Sequence, residues 1–376
     1  MKSTFLLRVI IICVSVLVIF SMIANTPANA ASGLPNSPQF GYGARIDARG
    51  QKVDVAINAA TGIGLDWIGL DFDWARQWPD KNQSPSLEPL NQVIHLAGQN
   101  RLHVLISITN PPDWAMGPNG PDASLTSKLV SLLAQQFADT LLAIELFPGA
   151  NTTHGWGTAT DPAAYIQVLK TCQDVLLSLG SPIQIVAAGL SPLSPRTEPG
   201  DMDDLAYLED LYANGGANYM PIISIRMDET IGDPMTPPEG HDPRVLRHYE
   251  AVRSVMIKNG HQNGIIWITG FSWPADLIQQ TDQTAWFNQA YRLAKSQLYL
   301  GVAFFNELNP PADKTRSSIP SLIQVDGQQL KMHPAFTLFG QLITMDHTGK
   351  VPSNHNVLLK RITTNLFKQN LKTGLP

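Results

Sequence analysis

Short apolar runs alternate with longer segments of helical periodicity along most of this 376-residue sequence, and this alternation limits the possible fold more than any other feature. The apolar runs are nearly continuous, which is typical of parallel strands that are covered on both faces. Eight runs are predicted to be strands: Phe40–Ala44, Trp67–Phe72, His103–Ile108, Leu141–Leu146, Ile183–Ala188, Ile222–Ile225, Ile265–Thr269 and Gly301–Phe305. Between and after them, apolar residues recur at helical spacing in Leu125–Thr140, Ala163–Leu179, Asp203–Ala213, Pro243–Lys258, Thr281–Ser296 and Pro334–Met345.

Repeats of a strand followed by a helix, with eight strands in all, predict an α/β fold, namely one closed parallel (β/α)8 barrel over residues 38–345. A barrel of this kind forms a single domain at this chain length. An open, doubly wound sheet is the alternative, but no glycine-rich phosphate-binding loop follows the first predicted strand.

Both ends of the chain differ from the barrel in composition. A basic start, the apolar run Val9–Ile23 and the small residues 28–30 predict that residues 1–30 are a secretory signal peptide. The protein is therefore expected to be secreted or held in the cell envelope. The alternative is an uncleaved anchor helix over Leu6–Ile23, and a membrane contact is expected only in that case. Residues 346–376 are polar and mildly basic, so a mobile tail or a short appended helix is expected there.

The charged residues and cysteines exclude several classes of function. A net charge of −5 with 15% charged residues leaves no electrostatic footprint for nucleic acid, so any binding partner is expected to be neutral or to be recognised by shape and stacking. Without residues 1–30 the chain keeps a single cysteine, Cys172, which falls on the apolar face of a predicted helix. A buried structural thiol is expected there, rather than a nucleophile. The histidines show no metal-ligand spacing, and neither a metal nor a cofactor is expected.

Tryptophans follow several of the predicted strands at the end where such barrels carry their working groups. Trp74, Trp114, Trp156 and Trp273 should therefore gather at one end of the barrel. Indoles beside amides and carboxylates suit sugar rings, because the apolar face of a ring stacks while its hydroxyl groups hydrogen-bond at the edges. The alternative is that these indoles plug the top of the barrel core.

Four of these strand ends resemble motifs of the clan-A glycoside hydrolases. Residues 64–74 are similar to the clan's G-x-x-W-V-R-x-D-x-x-W, and residues 112–115 to its P-x-W-A. Residues 145–151, ELFPGAN, stand in the place of E-I-W-N-E-P-N, and residues 266–274, IWITGFSWP, are similar to I-W-I-T-E-F-G-W-P. The resemblance covers about residues 38–345 and implies a (β/α)8 barrel that acts on glycosidic bonds.

The same resemblance implies that the catalytic carboxylates are missing. The positions that match the clan's general acid/base and nucleophile hold Gly149 and Gly270. A retaining glycosidase needs two carboxylates about 5 Å apart, and glycine can neither donate a proton nor attack. The clan's strand-two arginine corresponds to Gly69, its strand-six histidine to Arg226, and the asparagine before the acid/base to Pro148. An arginine left without its nucleophile would be a costly unpaired buried charge, so these losses belong together.

Other acids lie near the strand ends. Glu145 precedes Gly149 by four residues, and its strand parity predicts a deep, inward-pointing structural carboxylate that needs a partner. Glu307 with Glu229 or Asp73 is the best candidate for a rebuilt catalytic pair. The remaining acids near strand ends are Asp71, Asp228 and Asp276.

Three hypotheses follow from these observations. The first is an exported, non-hydrolytic barrel that binds a polysaccharide or glycan at its mouth. The side chains expected to stack on or hydrogen-bond to the sugar are Trp74, Asp73, Trp114, Asn151, Trp273 and Glu307. The second is an active glycosidase with relocated carboxylates. The third is a structural subunit of the cell envelope or of an assembly, which would use the outer surface of the barrel.

Overall fold

Eight parallel strands close into a barrel in this computed structural model, which describes residues 40–50, 52–193, 198–227, 229–274, 280–312, 321–326 and 329–348. The strands are β1 (Gly41–Arg45), β2 (Trp67–Asp73), β3 (His103–Thr109), β4 (Leu141–Leu146), β5 (Gln184–Leu190), β6 (Ile222–Arg226), β7 (Ile265–Phe271) and β8 (Leu300–Phe305). Each strand pairs with its neighbours in sequence, and β1 pairs with β8 to close the ring. All eight predicted strands are confirmed, with ends that agree within two residues.

A helix follows each strand and covers the outside of the barrel. The helices are α1 (Val53–Ile63), α2 (Glu88–Gln99), α3 (Ala123–Gln136), α4 (Pro162–Ser178), α5 (Asp204–Ala213), α6 (Tyr249–Lys258), α7 (Gln280–Ser296) and α8 (Pro334–Thr348). Single helical turns at Trp74–Gln77 and Thr153–Trp156 lie in two of the loops at the carboxyl ends of the strands. The described structure also contains two short antiparallel ribbons, Met116–Gly117 with Gly120–Pro121 and Ile323–Asp326 with Gln329–Met332, and 3-10 turns at Asp113–Ala115, Gly216–Asn218 and Leu246–His248.

The helix ends depart from the predicted ones where capping side chains act. Helix α3 begins at Ala123 because the Asp122 carboxylate accepts from the backbone N–H of Leu125 over 2.8 Å. Helix α6 begins six residues after the predicted start at Pro243, since Asp242 binds the backbone and guanidinium of Arg244 and a 3-10 turn at Leu246–His248 precedes the helix. Helix α8 runs to Thr348, three residues past the expected end of the barrel at residue 345. The rest of the expected tail lies outside the described residues, as do the whole predicted signal segment and its proposed anchor helix.

Aromatic rings fill the half of the barrel interior that lies toward the amino ends of the strands. The rings of Trp67 and Trp267 meet edge to face with centroids 5.0 Å apart, and Phe304 packs against both. A Cβ atom at Gly43 would lie 2.5 Å from the Phe304 ring, so a glycine at that position on β1 makes room for it. Packed side chains therefore close the barrel at the amino ends of its strands.

Two further features concern the outer layer. The Cys172 thiol is buried in α4, as the helical pattern predicts, and burial raises its pKa well above the usual range. Within the described residues, no helix combines the length and the apolar character needed to cross a membrane.

Candidate functional site

Four charged side chains from four strands meet at the carboxyl end of the barrel. They are Arg45 of β1, Asp71 of β2, Glu145 of β4 and Arg226 of β6, and together they form the central ion cluster. Arg45 Nη2 donates to Asp71 Oδ1 over 2.5 Å, and Arg226 donates to both Asp71 oxygens over 2.9 and 3.1 Å. Two positive and two negative charges are thereby matched at the centre of the barrel.

Glu145 is the deepest member of the central ion cluster and is completely buried. Its carboxylate accepts from Ser107 Oγ over 2.5 Å and from Thr269 Oγ1 over 2.6 Å. Arg226 Nη1 lies 4.0 Å from the same carboxylate. The prediction of a deep structural carboxylate with partners is therefore confirmed, and Glu145 is closed off from any ligand at the mouth.

Arg45 of β1 places a positive charge beside Gly69, the glycine that corresponds to the clan's strand-two arginine. A Cβ atom at Gly69 would lie 3.0 Å from Arg45 Nη1, because Arg45 and Gly69 are paired in register on β1 and β2. The guanidinium of Arg45 also donates to the Thr269 carbonyl over 3.1 Å. Position 69 is thus a glycine, as the motif comparison gave it, and strand one provides a guanidinium beside it.

The pKa of the Arg45 guanidinium reflects this crowding. Burial lowers its pKa, and the positive charge of Arg226 lowers it further. The negative charges of Asp71 and Glu145, together with the hydrogen bond to Asp71, oppose both effects. The two carboxylates thus offset the charge of two neighbouring guanidinium groups inside the protein.

Gly270, near the end of β7, lies against two side chains that fill the space beside it. A Cβ atom at Gly270 would lie 2.3 Å from Asn306 Oδ1 and 3.3 Å from Arg226 Cγ. The Asn306 amide is held in this position, since its Nδ2 donates to the Met227 carbonyl over 2.8 Å and to Ser272 Oγ over 3.1 Å. Any side chain at position 270 would have to displace this amide.

Gly149 lies in a turn directly after β4 and has a φ of 77°. Residues other than glycine rarely adopt this left-handed backbone conformation, because their Cβ atom comes too close to the backbone. The backbone N–H of Gly149 donates to the Gly189 carbonyl over 2.6 Å, which fixes the turn against the end of β5. The turn itself therefore favours glycine at position 149.

Three of the four tryptophans predicted at the mouth are buried in the structure. Trp74 and Trp156 have no exposed surface and Trp273 is 3% exposed. Trp74 stacks on Phe147 with ring centroids 6.5 Å apart, and Trp273 Nε1 donates to the Gly232 carbonyl over 3.1 Å. The prediction that Trp74 and Trp273 offer their faces to a ligand therefore does not agree with this structure, in which they pack the top of the core.

Trp114 is half-buried and keeps part of its indole at the mouth. Its ring meets those of Trp74 and Trp78 edge to face, with centroids 5.7 and 5.3 Å away. Trp78 is also half-buried, and its Nε1 donates to the Gln83 carbonyl over 2.7 Å. The partly exposed indoles of Trp114 and Trp78 thus form an aromatic pair beside the ends of β2 and β3.

Solved structures with the same architecture come from several glycoside hydrolase families. A family 39 glycoside hydrolase from the gut symbiont Bacteroides cellulosilyticus WH2 aligns with 82% of this chain at a TM-score of 0.62 and 14% identity, and this chain spans 64% of that enzyme's length. A GH5_18 protein from Streptomyces cattleya, solved in complex with GlcNAc, aligns over 84% of this chain and 82% of its own at a TM-score of 0.60 and 14% identity. A family 1 β-glucosidase from Thermotoga maritima aligns over 78% of this chain and 86% of its own at a TM-score of 0.54 and 14% identity.

This chain has the fold of the clan-A glycoside hydrolases. The similarity lies in structure, because no protein-family model matches the sequence and no curated protein matches it either. The clan-A barrel places its working groups at the carboxyl ends of the strands, which is where the central ion cluster lies.

Two polar residues expected to contact a sugar at the mouth of the barrel have structural partners instead. Asn151 is completely buried, donates to the Ser191 and Met202 carbonyls over 2.9 and 3.0 Å, and accepts from the Ser191 backbone N–H. Asp73 accepts from the backbone N–H of Arg76 over 3.2 Å and so caps the single turn at Trp74–Gln77. The prediction of Asn151 as a ligand contact therefore conflicts with its burial.

The acids expected to replace the clan-A pair have different surroundings. Glu307 is half-buried and accepts from Ser321 Oγ over 3.3 Å, while Glu229 is exposed. Asp228 and Asp276 lie outside the described residues. The capping role of Asp73 gives it a structural function that is independent of either glutamate.

Arg45 and Trp78 are the site residues that the motif comparison missed. Both carry a signal in the sequence: Arg45 is a charged residue at the carboxyl end of an apolar strand, and Trp78 follows Trp74 by four residues, the spacing of one helical turn. Neither residue belongs to a clan-A motif, so a search by motif alone passes over them.

Proposed function

We propose that this protein is a glycoside-hydrolase-like barrel that binds a carbohydrate at its mouth without hydrolysing it. The observation that carries the proposal is the central ion cluster, in which both carboxylates are engaged by arginines or hydroxyl groups rather than presented to a substrate. A retaining glycosidase needs one carboxyl group to protonate the leaving oxygen and a second to attack the anomeric carbon.

The two glycines at the matching catalytic positions support the same conclusion. Gly149 lies in a left-handed turn, and the space beside Gly270 is filled by the Asn306 amide and the Arg226 side chain. The local structure has thus adapted to glycine at both positions. A glutamate at either one would meet backbone strain or a steric clash.

The carbohydrate part of the proposal rests on the half-buried aromatic pair and on the structural neighbours. Trp114 and Trp78 are half-buried and pack against each other after the ends of β3 and β2, and indole faces are common stacking partners for sugar rings. One structural neighbour was solved with GlcNAc and another with Manβ1-4GlcNAc. A signal-like sequence over residues 1–30 suggests that the ligand is met outside the cytoplasm.

The test combines binding and hydrolysis on the same oligosaccharides. The chain from residue 31 onward is screened by isothermal titration calorimetry against a panel of β-linked oligosaccharides, and reducing ends are measured after long incubation with each one. We expect binding of at least one glycan and no release of reducing ends above the buffer blank. Turnover that disappears in a Glu307→Gln variant would instead support a glycosidase with relocated acids, and the absence of any binding would remove the carbohydrate function.

Trp114→Ala is expected to weaken glycan binding about tenfold or more, because truncating a stacking aromatic residue at the centre of a binding site removes one of its main contacts. The measurement is the dissociation constant by calorimetry, with circular dichroism as a check on folding. Tyr299→Ala is the matched control, since Tyr299 is a half-buried aromatic residue just before β8, at the opposite end of the barrel. Equal losses in the two variants would show a general effect on folding, and no loss in Trp114→Ala would place the ligand elsewhere.

A further inference from the structure

The two indoles of the aromatic pair are steeply inclined to each other. The rings of Trp78 and Trp114 have centroids 5.3 Å apart, and the angle between their planes is 65°. Trp78 directly follows the single helical turn at Trp74–Gln77, and Trp114 lies in the 3-10 turn at Asp113–Ala115. The two rings therefore come from the loops after β2 and β3, and they do not form one flat surface.

Hydrogen bonds hold the two rings at this angle. Trp114 Nε1 donates to the Trp78 carbonyl over 3.2 Å, and Trp78 Nε1 donates to the Gln83 carbonyl over 2.7 Å. The backbone N–H of Trp78 donates to the Trp74 carbonyl over 2.8 Å, and the buried Trp74 ring meets that of Trp114 edge to face. Because the pair is fixed in this way, it favours a ligand whose own shape already matches the angle.

The same hydrogen bonds decide what the aromatic pair can offer to a ligand. An indole carries a single donor, and both donors of the pair are used within the protein. The ring surface is therefore the part of these side chains that remains for contact with a ligand. Exposed polar side chains adjoin the pair in the chain, namely Arg76, Asn110 and Asp113. Apolar ring surface beside polar side chains suits a chain of sugar units.

The angle between the two indoles limits the shape of a glycan that stacks on both. A sugar ring stacks with its mean plane parallel to the aromatic face, so two stacked sugar units have to be inclined to each other as the indoles are. In a flat ribbon such as cellulose or chitin, the mean planes of successive sugar rings are parallel. In a twisted chain such as xylan, each ring plane is turned steeply from the one before it, and this suits indoles inclined by 65°.

We infer that the glycan proposed above for the mouth is a twisted chain of the xylan type, and that Trp78 and Trp114 select it by the angle between their rings. This choice of ligand rests on the proposed carbohydrate function and adds a requirement of shape to it. Each indole stacks on one sugar unit, and the exposed polar side chains beside the pair bond to the hydroxyl groups. A flat chain contacts one indole at a time and loses the second contact.

Calorimetry with xylohexaose and cellohexaose tests the requirement of shape on the chain from residue 31 onward. The two probes have the same linkage and differ in the hydroxymethyl group of glucose, whose hydrogen bonds between adjacent units favour the flat ribbon. We expect xylohexaose to bind about tenfold more tightly, because cellohexaose either loses one stacking contact or has to be twisted. Microcrystalline cellulose, whose chains are held flat by their packing, should not retain the protein.

Trp78→Ala separates the requirement of shape from stacking as such. With one indole left, no angle remains to be matched, so xylohexaose should bind about tenfold more weakly and its Kd should approach that of cellohexaose. Tyr299→Ala is again the matched control, since Tyr299 lies just before β8 at the opposite end of the barrel, and it should keep both Kd values and their ratio. Circular dichroism checks that each variant is folded.

The possible failures of the two proposals can be told apart. Equal or tighter binding of cellohexaose by the unaltered protein would overturn the requirement of shape and leave carbohydrate binding in place. A preference for xylohexaose that persists in Trp78→Ala would show that the angle between the indoles is not its cause. If neither hexasaccharide binds but another oligosaccharide of the panel does, the twisted chain is excluded and the proposed function stands, whereas no binding of any glycan removes both.

Discussion

Asp71→Asn is expected to lower the free energy of unfolding by about 2 kcal/mol, because a partner charge in a largely buried cluster is left uncompensated, while the 33% exposure of the Asp71 side chain lets water screen part of the loss. The substitution keeps the volume of the side chain but removes its negative charge, and it replaces one of the two oxygens that accept from Arg45 and Arg226 by an NH2 group, which can only donate. Glu145 then remains the one carboxylate of the central ion cluster for two guanidinium groups. The measurement is chemical denaturation followed by circular dichroism, with the midpoint and slope fitted together.

Asp73→Asn is the matched control for this result. Asp73 lies two residues further along the same strand, but its carboxylate caps a single helical turn, a role that asparagine fills equally well. We expect a change within about 0.5 kcal/mol. A double variant with Asp71→Asn and Arg226→Gln should lose less than the sum of the two single losses, since the two charges are removed together. Additive losses, or equal effects at Asp71 and Asp73, would contradict the role assigned to the central ion cluster.

Gly270→Ala is expected to cost about 2 kcal/mol of stability, the usual range for inserting atoms into a packed interior. The added Cβ would lie 2.3 Å from Asn306 Oδ1, and two hydrogen bonds hold that amide in place. In an Asn306→Ala background the obstructing atom is absent, so the same change at position 270 should cost much less. Chemical denaturation of the four proteins of this cycle gives the coupling energy directly.

Gly117→Ala provides the comparison for Gly270→Ala. A Cβ atom at Gly117 would lie 3.4 Å from its nearest neighbour, an ordinary contact, so we expect little change in stability. A loss at position 270 that persists without the Asn306 amide would mean that the backbone, rather than the neighbouring side chain, selects glycine there.

The fold could be predicted from the sequence because the signal is local. An apolar run such as Leu141–Leu146 is long enough to form a strand and short enough to exclude a helix, and its neighbours have helical spacing. Eight such repeats leave few other architectures open. Glu145 could be placed for a similar reason: strand parity alone points its side chain inward, and the structure shows it completely buried.

The site was predictable only in part, because its chemistry depends on contacts between strands. The motif comparison located the strand ends but described strand two as lacking an arginine, whereas Arg45 reaches the space beside Gly69 from strand one. The tryptophans were placed at the correct end of the barrel, yet Trp74 and Trp273 pack inward while Trp114 stays half-buried. Residue type alone cannot separate an indole that fills a core from one that faces a ligand.

By itself, the sequence determined the (β/α)8 architecture, the order of the strands and the glycines at positions 149 and 270, because periodicity and residue identity are properties of single segments. Only the tertiary structure decided that Arg45, Asp71, Glu145 and Arg226 neutralise one another and that the Asn306 amide fills the space beside Gly270. Those contacts join residues that are distant in the chain, and closure of the barrel is what brings their side chains within hydrogen-bonding distance.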